Sequence, residues 1–339
     1  MILRSAPRFW WRPGVGPAAL ALSPVAALYG ALAGRRMAGA GSGVGVPVVC
    51  VGNFVAGGAG KTPVALELAR QLIAADQAPA FVSRGYGGAG AAGPIRVDAA
   101  RHAAGEVGDE PLLLARVAPC FVSRDRLAAA RAAVAAGASV VLMDDGLQNP
   151  ALAKDLGIAV VDGAVGVGNG LCLPAGPLRA PLARQWPAVD ILIVVGPGAP
   201  GEAVAAEAGL RRIPVLRAAV SPDPRSLERL AGLDLFAFSG IGRPDKFFAT
   251  LEEAGLSVAG RARFPDHHAY TAGDRERLTA AAAALGAVPV TTEKDRTRLP
   301  ADFPVEVLPI RLEFDDPETL GDRLGRLVAP GDPWSDRDG

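Results

Sequence analysis

The sequence predicts an α/β protein in two parts: a larger phosphate-binding domain on a mainly parallel sheet, and a smaller α/β domain after it. An apolar helix is predicted at the N-terminus. Three observations carry this reading. Continuous β-branched apolar runs recur along the chain, the pattern of strands buried on both faces. Stretches with apolar residues at i, i+3 and i+4 lie between several of these runs. A glycine-rich loop ending in Gly-Lys-Thr joins the first run to the first such helix. At 339 residues, half of them hydrophobic, the chain suits two domains and can bury a large core.

Taken in order, residues 1–40 form the apolar segment. A run from about Val15 to Gly34 is flanked by Arg4, Arg8 and Arg12 before it and Arg35 and Arg36 after it, with Trp10 and Trp11 ahead. Pro24 and many alanines and glycines make it a weak spanning helix. Aromatic and arginine anchors suit a helix lying in the membrane interface, with a core helix or a signal peptide as the other readings. Residues 41–218 form the first domain. Its strands are "VPVVCVG" (46–52), "PAFVSRG" (79–85), "SVVLMDD" (139–145), "GIAVVDG" (157–163) and "DILIVVG" (190–196). Its helices include "KTPVALELARQLIAAD" and "RDRLAAARAAVAAG". The Pro- and Ser-containing stretch "VSPDPRSL" marks the passage to a second series over 219–330. There, strands "LFAFSGIG", "SVAGRARF", "VPVTTEKD" and "VEVLPIRLEF" alternate with helices "RPDKFFATLEEAG" and "AGDRERLTAAAAALGA", and a final helix starts at "DPETL". Residues 331–339 read as a loose tail.

Composition excludes several classes. Thirty-five basic and 35 acidic residues cancel, so no global basic field draws the chain to nucleic acid. Cys50, Cys120 and Cys172 are far apart with no CxxC spacing, which gives neither a disulfide framework nor a zinc site. Only four of the basic residues are lysines: Lys61, Lys154, Lys246 and Lys294.

One of those lysines ends the loop "VGNFVAGGAGKTPV". A strand, this loop and a helix starting at Lys61 would aim backbone N–H groups of Gly57, Gly58, Ala59 and Gly60 at a phosphate. Lys61 would meet the β- and γ-phosphates, and Thr62 would help hold Mg²⁺. This makes the first domain P-loop NTPase-like, although Val55 stands where the usual loop has its first glycine; a glycine-rich turn with a chance Gly-Lys-Thr is the other reading. Asp144 and Asp145 close an apolar strand, the place of a metal-binding aspartate beside such a loop; an Asp-Asp-Gly turn is the other reading. Asp109 in "VGDEP" is either a helix cap or a working carboxylate. His267 and His268 in "RFPDHHAYT" are acid–base residues, metal ligands or a polar turn. "VTTEKD", with Lys294, is a charge cluster or a phosphate contact. The Pro/Gly-rich "NGLCLPAGPLRAP", with Arg179, is a shaped loop beside a site or a structural corner.

Together these strings resemble one family, the tetraacyldisaccharide 4′-kinases of lipid A synthesis. They are "VGNFVAGGAGKTPV", "SRGYGG" (83–88), "VGDEP", "DDGLQ", "NGLCLPAGPLR", "FPDHHAY" and "TTEKD", in the family's order across residues 51–295. The family's loop also lacks the glycine replaced here by Val55. The resemblance implies ATP as donor, Mg²⁺, and transfer to the 4′-hydroxyl of tetraacyldisaccharide 1-phosphate. It implies a place on the cytoplasmic face of the bacterial inner membrane, with neither nucleic acid nor an obligate protein partner. It implies that Asp109 activates the acceptor hydroxyl with His267 as its partner, and that Thr62, Asp144 and Asp145 are the metal-side residues. Two stretches depart from the family: Ala180 where an acidic residue usually follows "GPLR", and Leu147 and Asn149 where "DDGFQH" is usual. The alternatives are a P-loop ATPase or GTPase switch or metallochaperone, and a membrane-anchored module with a degenerate nucleotide site.

Overall fold

A computed structural model describes residues 6–85 and 93–328. The expected tail at 331–339, and positions 86–88 of "SRGYGG", lie outside the described residues. The described residues hold thirteen strands: β1 (Val48–Gly52), β2 (Pro79–Ser83), β3 (Ile95–Arg96), β4 (Cys120–Val122), β5 (Val140–Asp144), β6 (Leu156–Asp162), β7 (Ile191–Val195), β8 (Val215–Pro222), β9 (Asp234–Ser239), β10 (Ser257–Arg263), β11 (Val288–Thr292), β12 (Glu306–Leu308) and β13 (Ile310–Phe314). They form a nine-stranded sheet in the order β13-β8-β7-β6-β1-β5-β2-β4-β3 and a four-stranded sheet in the order β10-β9-β11-β12. All pairings are parallel except the two at the edges of the larger sheet, β13 with β8 and β3 with β4.

The continuous apolar runs read from the sequence are the central strands, and every residue of β1, β5 and β7 is buried. Alternate residues of β1 serve opposite faces. Val49 and Val51 pack with Leu68 and Leu72 of the helix Lys61–Ala74, while Val48 and Cys50 pack with Ala129 and Ala133. Burial between two apolar layers pushes the Cys50 thiol up to about 12, so it behaves as a small core residue. In the second sheet, Phe247, Phe248 and Leu251 cover one face, and Tyr270, Leu278 and Ala282 the other.

The C-terminal part differs from the sequence reading. "VEVLPIRLEF" is two strands rather than one, and they belong to different sheets. Pro309 has no N–H to give to a ladder and divides them. β13 then returns to the larger sheet, and the helix Pro317–Val328 buries Leu320 and Leu324 in that sheet's core. The span 219–330 therefore does not form one unit around the second sheet. The passage near "VSPDPRSL" is also no linker, because β8 runs through Val220 to Pro222.

At the N-terminus, helix α1 (Pro17–Met37) is long and apolar enough to cross a bilayer by length and composition. Its small residues face inward. Gly30 and Gly34 lie so close to Cys172, Pro181 and Arg184 that a Cβ would fall within 3.0–3.3 Å of them. Its large residues face out: Leu20 is 66% exposed, Leu28 65% and Leu32 53%. Trp10 is buried and donates from Nε1 to Pro174 O at 3.0 Å. The N-terminal segment is thus docked on the 169–184 loop, with an apolar stripe left uncovered.

Candidate active site

The larger sheet changes winding direction beside β1: the chain leaves β1 for β2 on one side, and leaves β6 for β7 on the other. The crevice beyond the C-terminal ends of such strands is where ligands of open α/β sheets bind. The glycine-rich loop occupies it. Gly60, at φ +83°, turns the chain into the helix Lys61–Ala74. At Gly57 and Gly58, among the described residues, no atom beyond the chain neighbours lies within 4 Å of where a Cβ would stand. Asn53 braces the loop by donating from Nδ2 to Gly57 O at 3.2 Å, and its Oδ1 accepts from Lys61 Nζ at 3.2 Å.

Val55 does not act as a failed glycine. It is 5% exposed, packs in a core cluster with Leu147, Leu178 and Trp186, and forms an antiparallel bridge with Leu178. Its carbonyl accepts from Arg179 Nε at 2.9 Å, and Arg179 Nη1 continues to Asp145 Oδ1 at 2.7 Å. Ala56 N reaches Pro177 O at 2.7 Å. The Pro/Gly-rich segment, for which a shaped loop and a corner were both open, is therefore the second wall of the phosphate loop, fastened to it through Val55. Gln148 and Gln185 complete the wall: Gln148 donates to Asn53 O and Gln185 Oε1, both at 2.7 Å, and Gln185 donates to Phe54 O at 3.2 Å. Gly52 is needed here, since a Cβ on it would stand 2.5 Å from Leu147 Cβ.

The two adjacent aspartates have opposite environments. Asp145 Oδ1 meets Arg179 at 2.7 Å and Lys61 at 3.5 Å. Burial works against its charge, but Lys61 and then Arg179 outweigh it and hold the carboxyl below the usual range. Asp144 is buried on β5, opposite Val51 of β1. Burial, then the charges of Glu110 and Asp145, raise its carboxyl. Ser83 Oγ donates to its Oδ2 at 3.3 Å, while Oδ1 has no hydrogen-bond partner among the described residues. A buried carboxylate with an open oxygen, beside a second acid, is a place short of positive charge. Among the described residues, no group of three or more His, Cys, Asp or Glu is arranged to hold a metal. Magnesium does not need one, because it takes one or two carboxylates and completes its shell with phosphates and water. The residues present fit such an ion.

The second group stands where the two sheets meet. Asp109 opens the helix Asp109–Leu114, and His267 follows β10. Although 158 positions apart in sequence, His267 Nδ1 and Asp109 Oδ2 lie 2.8 Å apart. Lys294, from the segment after β11, stands 3.4 Å from His267 Nε2 and 3.4 Å from Glu110 Oε1. This arrangement suits the tautomer in which Nδ1–H donates to Asp109 and Nε2 accepts from Lys294. Burial opposes ionisation of Asp109, but the His267 hydrogen bond, Lys294 and Arg298 outweigh it and keep the carboxyl below the usual range. Asp109 is thus brought to the histidine, and it is not the helix cap, because Gly108 holds that position and no side chain caps the helix. His268 serves a different end. Its Nε2 lies 3.0 Å from Asp274, in the capping box of the helix Ala272–Ala284.

Backbone strain coincides with these residues. Among the described residues, four non-glycine positions have φ in the left-handed region: Asp76, Asp145, Arg212 and His267. Asp76 and Arg212 each stand just past a helix end, where that conformation is usual. Asp145 and His267 have no such excuse and are the two site residues.

Of the residues singled out in the sequence, Lys61, Thr62, Asp144, Asp145 and Arg179 lie at the glycine-rich loop and its wall, and Asp109, His267 and Lys294 at the seam. Sequence reasoning missed Asn53, Gln148, Gln185 and Arg298. The first two stand inside quoted strings, "VGNF" and "DDGLQ", as neutral amides, which carry no charge signal. Of the departures, Ala180 is fully buried with its carbonyl accepting from Gln185 Nε2 at 2.6 Å, and Asn149 caps Ala151 N at 2.8 Å.

The model of the family described as tetraacyldisaccharide-1-P 4′-kinase matches residues 18–329. A protein of Methylobacterium radiotolerans bearing the name tetraacyldisaccharide 4′-kinase is 57% identical, over 96% of this chain and 99% of its own length. One from Methylobacterium nodulans with the same name is 54% identical, over 97% and 98%. Among solved structures, LpxK from Aquifex aeolicus, crystallised in complex with ATP, shares the fold with a TM-score of 0.73 at 24% identity, covering 92% of this chain and 99% of that one.

Proposed function

The chain belongs to the tetraacyldisaccharide-1-P 4′-kinase family, and from that premise we propose how its residues carry out the reaction. It is an ATP-dependent kinase of lipid A biosynthesis that phosphorylates the 4′-hydroxyl of tetraacyldisaccharide 1-phosphate to give lipid IVA. The observation that supports the residue roles is the coexistence of two poised corners, Lys61–Asp145–Arg179 at the phosphate loop and Asp109–His267 at the seam. An alcohol is a poor nucleophile, and a phosphoryl donor repels it unless its charge is spread. The loop from Gly57 to Gly60, the N-terminus of the following helix and Lys61 bind the β- and γ-phosphates and take up that charge. Mg²⁺, when bound, neutralises the phosphate oxygens further, and Thr62 and Asp144, with Asp145 beside them, are the residues that would hold it. The 4′-oxygen forms its bond to the γ-phosphorus as the bond to ADP breaks, and the hydroxyl proton passes to the Asp109–His267 pair. A carboxyl held below the usual range is a weak base, but it is ionised throughout the neutral range. The loose transition state of phosphoryl transfer asks little more of it.

The exposed apolar stripe of α1, ending in Arg35 and Arg36, supports a further reading: the enzyme rests on the cytoplasmic face of the inner membrane, where its acylated acceptor resides. The deciding assay follows labelled phosphate from ATP into tetraacyldisaccharide 1-phosphate. Asp109→Ala and Lys61→Ala each lower turnover by about 10²–10⁴-fold, the scale of lost acid–base or charge stabilisation, with the fold checked by circular dichroism. Full turnover in either variant removes that residue from the mechanism. ATP consumption that ignores the lipid would favour a switch ATPase instead.

A further inference from the structure

We propose that Arg298 is a positioning residue of the transfer reaction, a buried strut that holds Asp109 in register with His267 across the seam between the sheets. The proposal rests on the reading of Asp109 and His267 given above. Arg298 and Asp109 are both 4% exposed, with Arg298 Nε 3.3 Å from Asp109 Oδ2. On its other side, Arg298 Nη1 donates to Gly240 O at 2.9 Å and to His268 O at 3.3 Å. Those carbonyls belong to the loops that shape His267, whose own N–H binds Gly240 O at 3.1 Å. One guanidinium therefore grips the carboxylate contributed by the larger sheet and the turn that presents its histidine.

A merely structural arginine would have its donors used. Here, among the described residues, Nε lacks hydrogen-bond geometry to any acceptor and buried Nη2 has no hydrogen-bond partner. The acids that could justify a buried charge are Asp295, 3.4 Å from Nη1, and Asp109. Asp295 already accepts from Ser239 Oγ, Gly240 N, Tyr270 OH and Thr292 Oγ1. Asp109 is the acid left for the charge to serve. The groups facing Asp109 are His267, Lys294 and Arg298, with Glu110 donating its N–H to Oδ1 at 2.9 Å and its carboxylate drawn to Lys294; Asp266 stands 3.8 Å behind His267 Nε2. Lys294 is farther from Asp109, at 3.9 Å, and is shared with Glu110. Burial pushes the Asp109 carboxyl up against His267, Lys294 and, as the last of these influences, Arg298, so removing Arg298 lets part of that push act.

The test measures kcat and KM for ATP against pH in wild type, Arg298→Met, Arg298→Lys and Asp109→Asn. Arg298→Met is expected to lower kcat at least tenfold, leave KM for ATP within twofold, and move the acid limb of kcat measurably upward, by up to about 1 pH unit, because His267 and Lys294 still face the carboxyl. Arg298→Lys, which keeps the charge, should restore most of the limb's position. An unmoved limb in Arg298→Met, or equal losses in the Met and Lys variants at every pH, overturns the proposal. If Arg298→Met does not fold, Arg298→Lys decides: it must fold with a limb at or slightly above wild type, and a tenfold loss without any limb shift overturns the idea. An active Asp109→Asn would instead sink the site reading itself, a different outcome from inactive Asp109→Asn beside an unshifted Arg298 variant.

Discussion

Val55→Gly restores the glycine of the commonest phosphate loop and asks whether the valine is a defect or part of the loop. Val55 is 5% exposed, in contact with Leu178 through its bridge and core cluster. Losing a buried valine side chain costs about 1.5–3 kcal/mol, and the extra freedom of glycine in the unfolded chain adds about 0.5–1, for a total of about 2–4 kcal/mol. The functional effect follows the same connection. Val55 O holds Arg179 Nε, and Arg179 holds Asp145, so a loosened bridge weakens the corner proposed above to grip the nucleotide phosphates. KM for ATP should therefore rise while the loop more closely resembles the usual motif. Urea unfolding gives the first quantity and initial rates at varied ATP the second. A variant within about 0.5 kcal/mol of wild type, a surface-like cost, with KM for ATP unchanged or lower, would refute the reasoning.

Two further outcomes test the metal corner and the lipid face. The raised Asp144 carboxyl means the folded chain keeps a proton that the unfolded chain has lost, so this group's stability contribution falls as pH rises from the ordinary carboxylate range through the raised value. With a chelator present, Asp144→Asn should melt above wild type near pH 8, with the gap closing near pH 5, while turnover with Mg²⁺ falls about 10²-fold or more. A gap that widens on acidification contradicts this account. On α1, Leu28→Glu and Leu32→Glu together should weaken binding to anionic vesicles at least about tenfold, because each leucine buries about 1.5–3 kcal/mol of apolar surface. Activity on detergent-dispersed acceptor should be kept, and unchanged vesicle binding would remove α1 from the membrane contact.

What the sequence disclosed follows from which residues leave a local signature. Strands buried on both faces, such as β5 and β7, are legible because burial selects unbroken β-branched runs. Lys61, Asp144 and Asp145 are legible because a charge placed at a strand end beside glycines has few other reasons to be there. Arg298 was not, because one more arginine in an arginine-rich chain looks like surface; only its 4% exposure sets it apart. Asp109 could not be told from a cap by spacing, since its partner lies 158 positions away. Nor could β13 be assigned to its sheet, because strand propensity does not say which edge a strand will join.

The Pro309 break also bears on how the site is assembled. The chain leaves the larger sheet after β8 and re-enters it at β13, and these two crossings are bonded to each other: Ile310 pairs with Pro222, and Asp223 N donates to Pro309 O at 2.9 Å. The second sheet therefore hangs from a double strand rather than a single flexible linker. Two paired crossings permit bending about the line between them but resist twisting and sliding, and the contacts opposite that hinge are polar ones: Arg243 with Asp162, Lys294 with Glu110, and His267 with Asp109. Shifting the register of such a seam would break both the β8–β13 ladder and the buried contacts of Asp109 with His267 and Arg298. A chain built this way holds Asp109 and His267 in one register although elements of different sheets carry them.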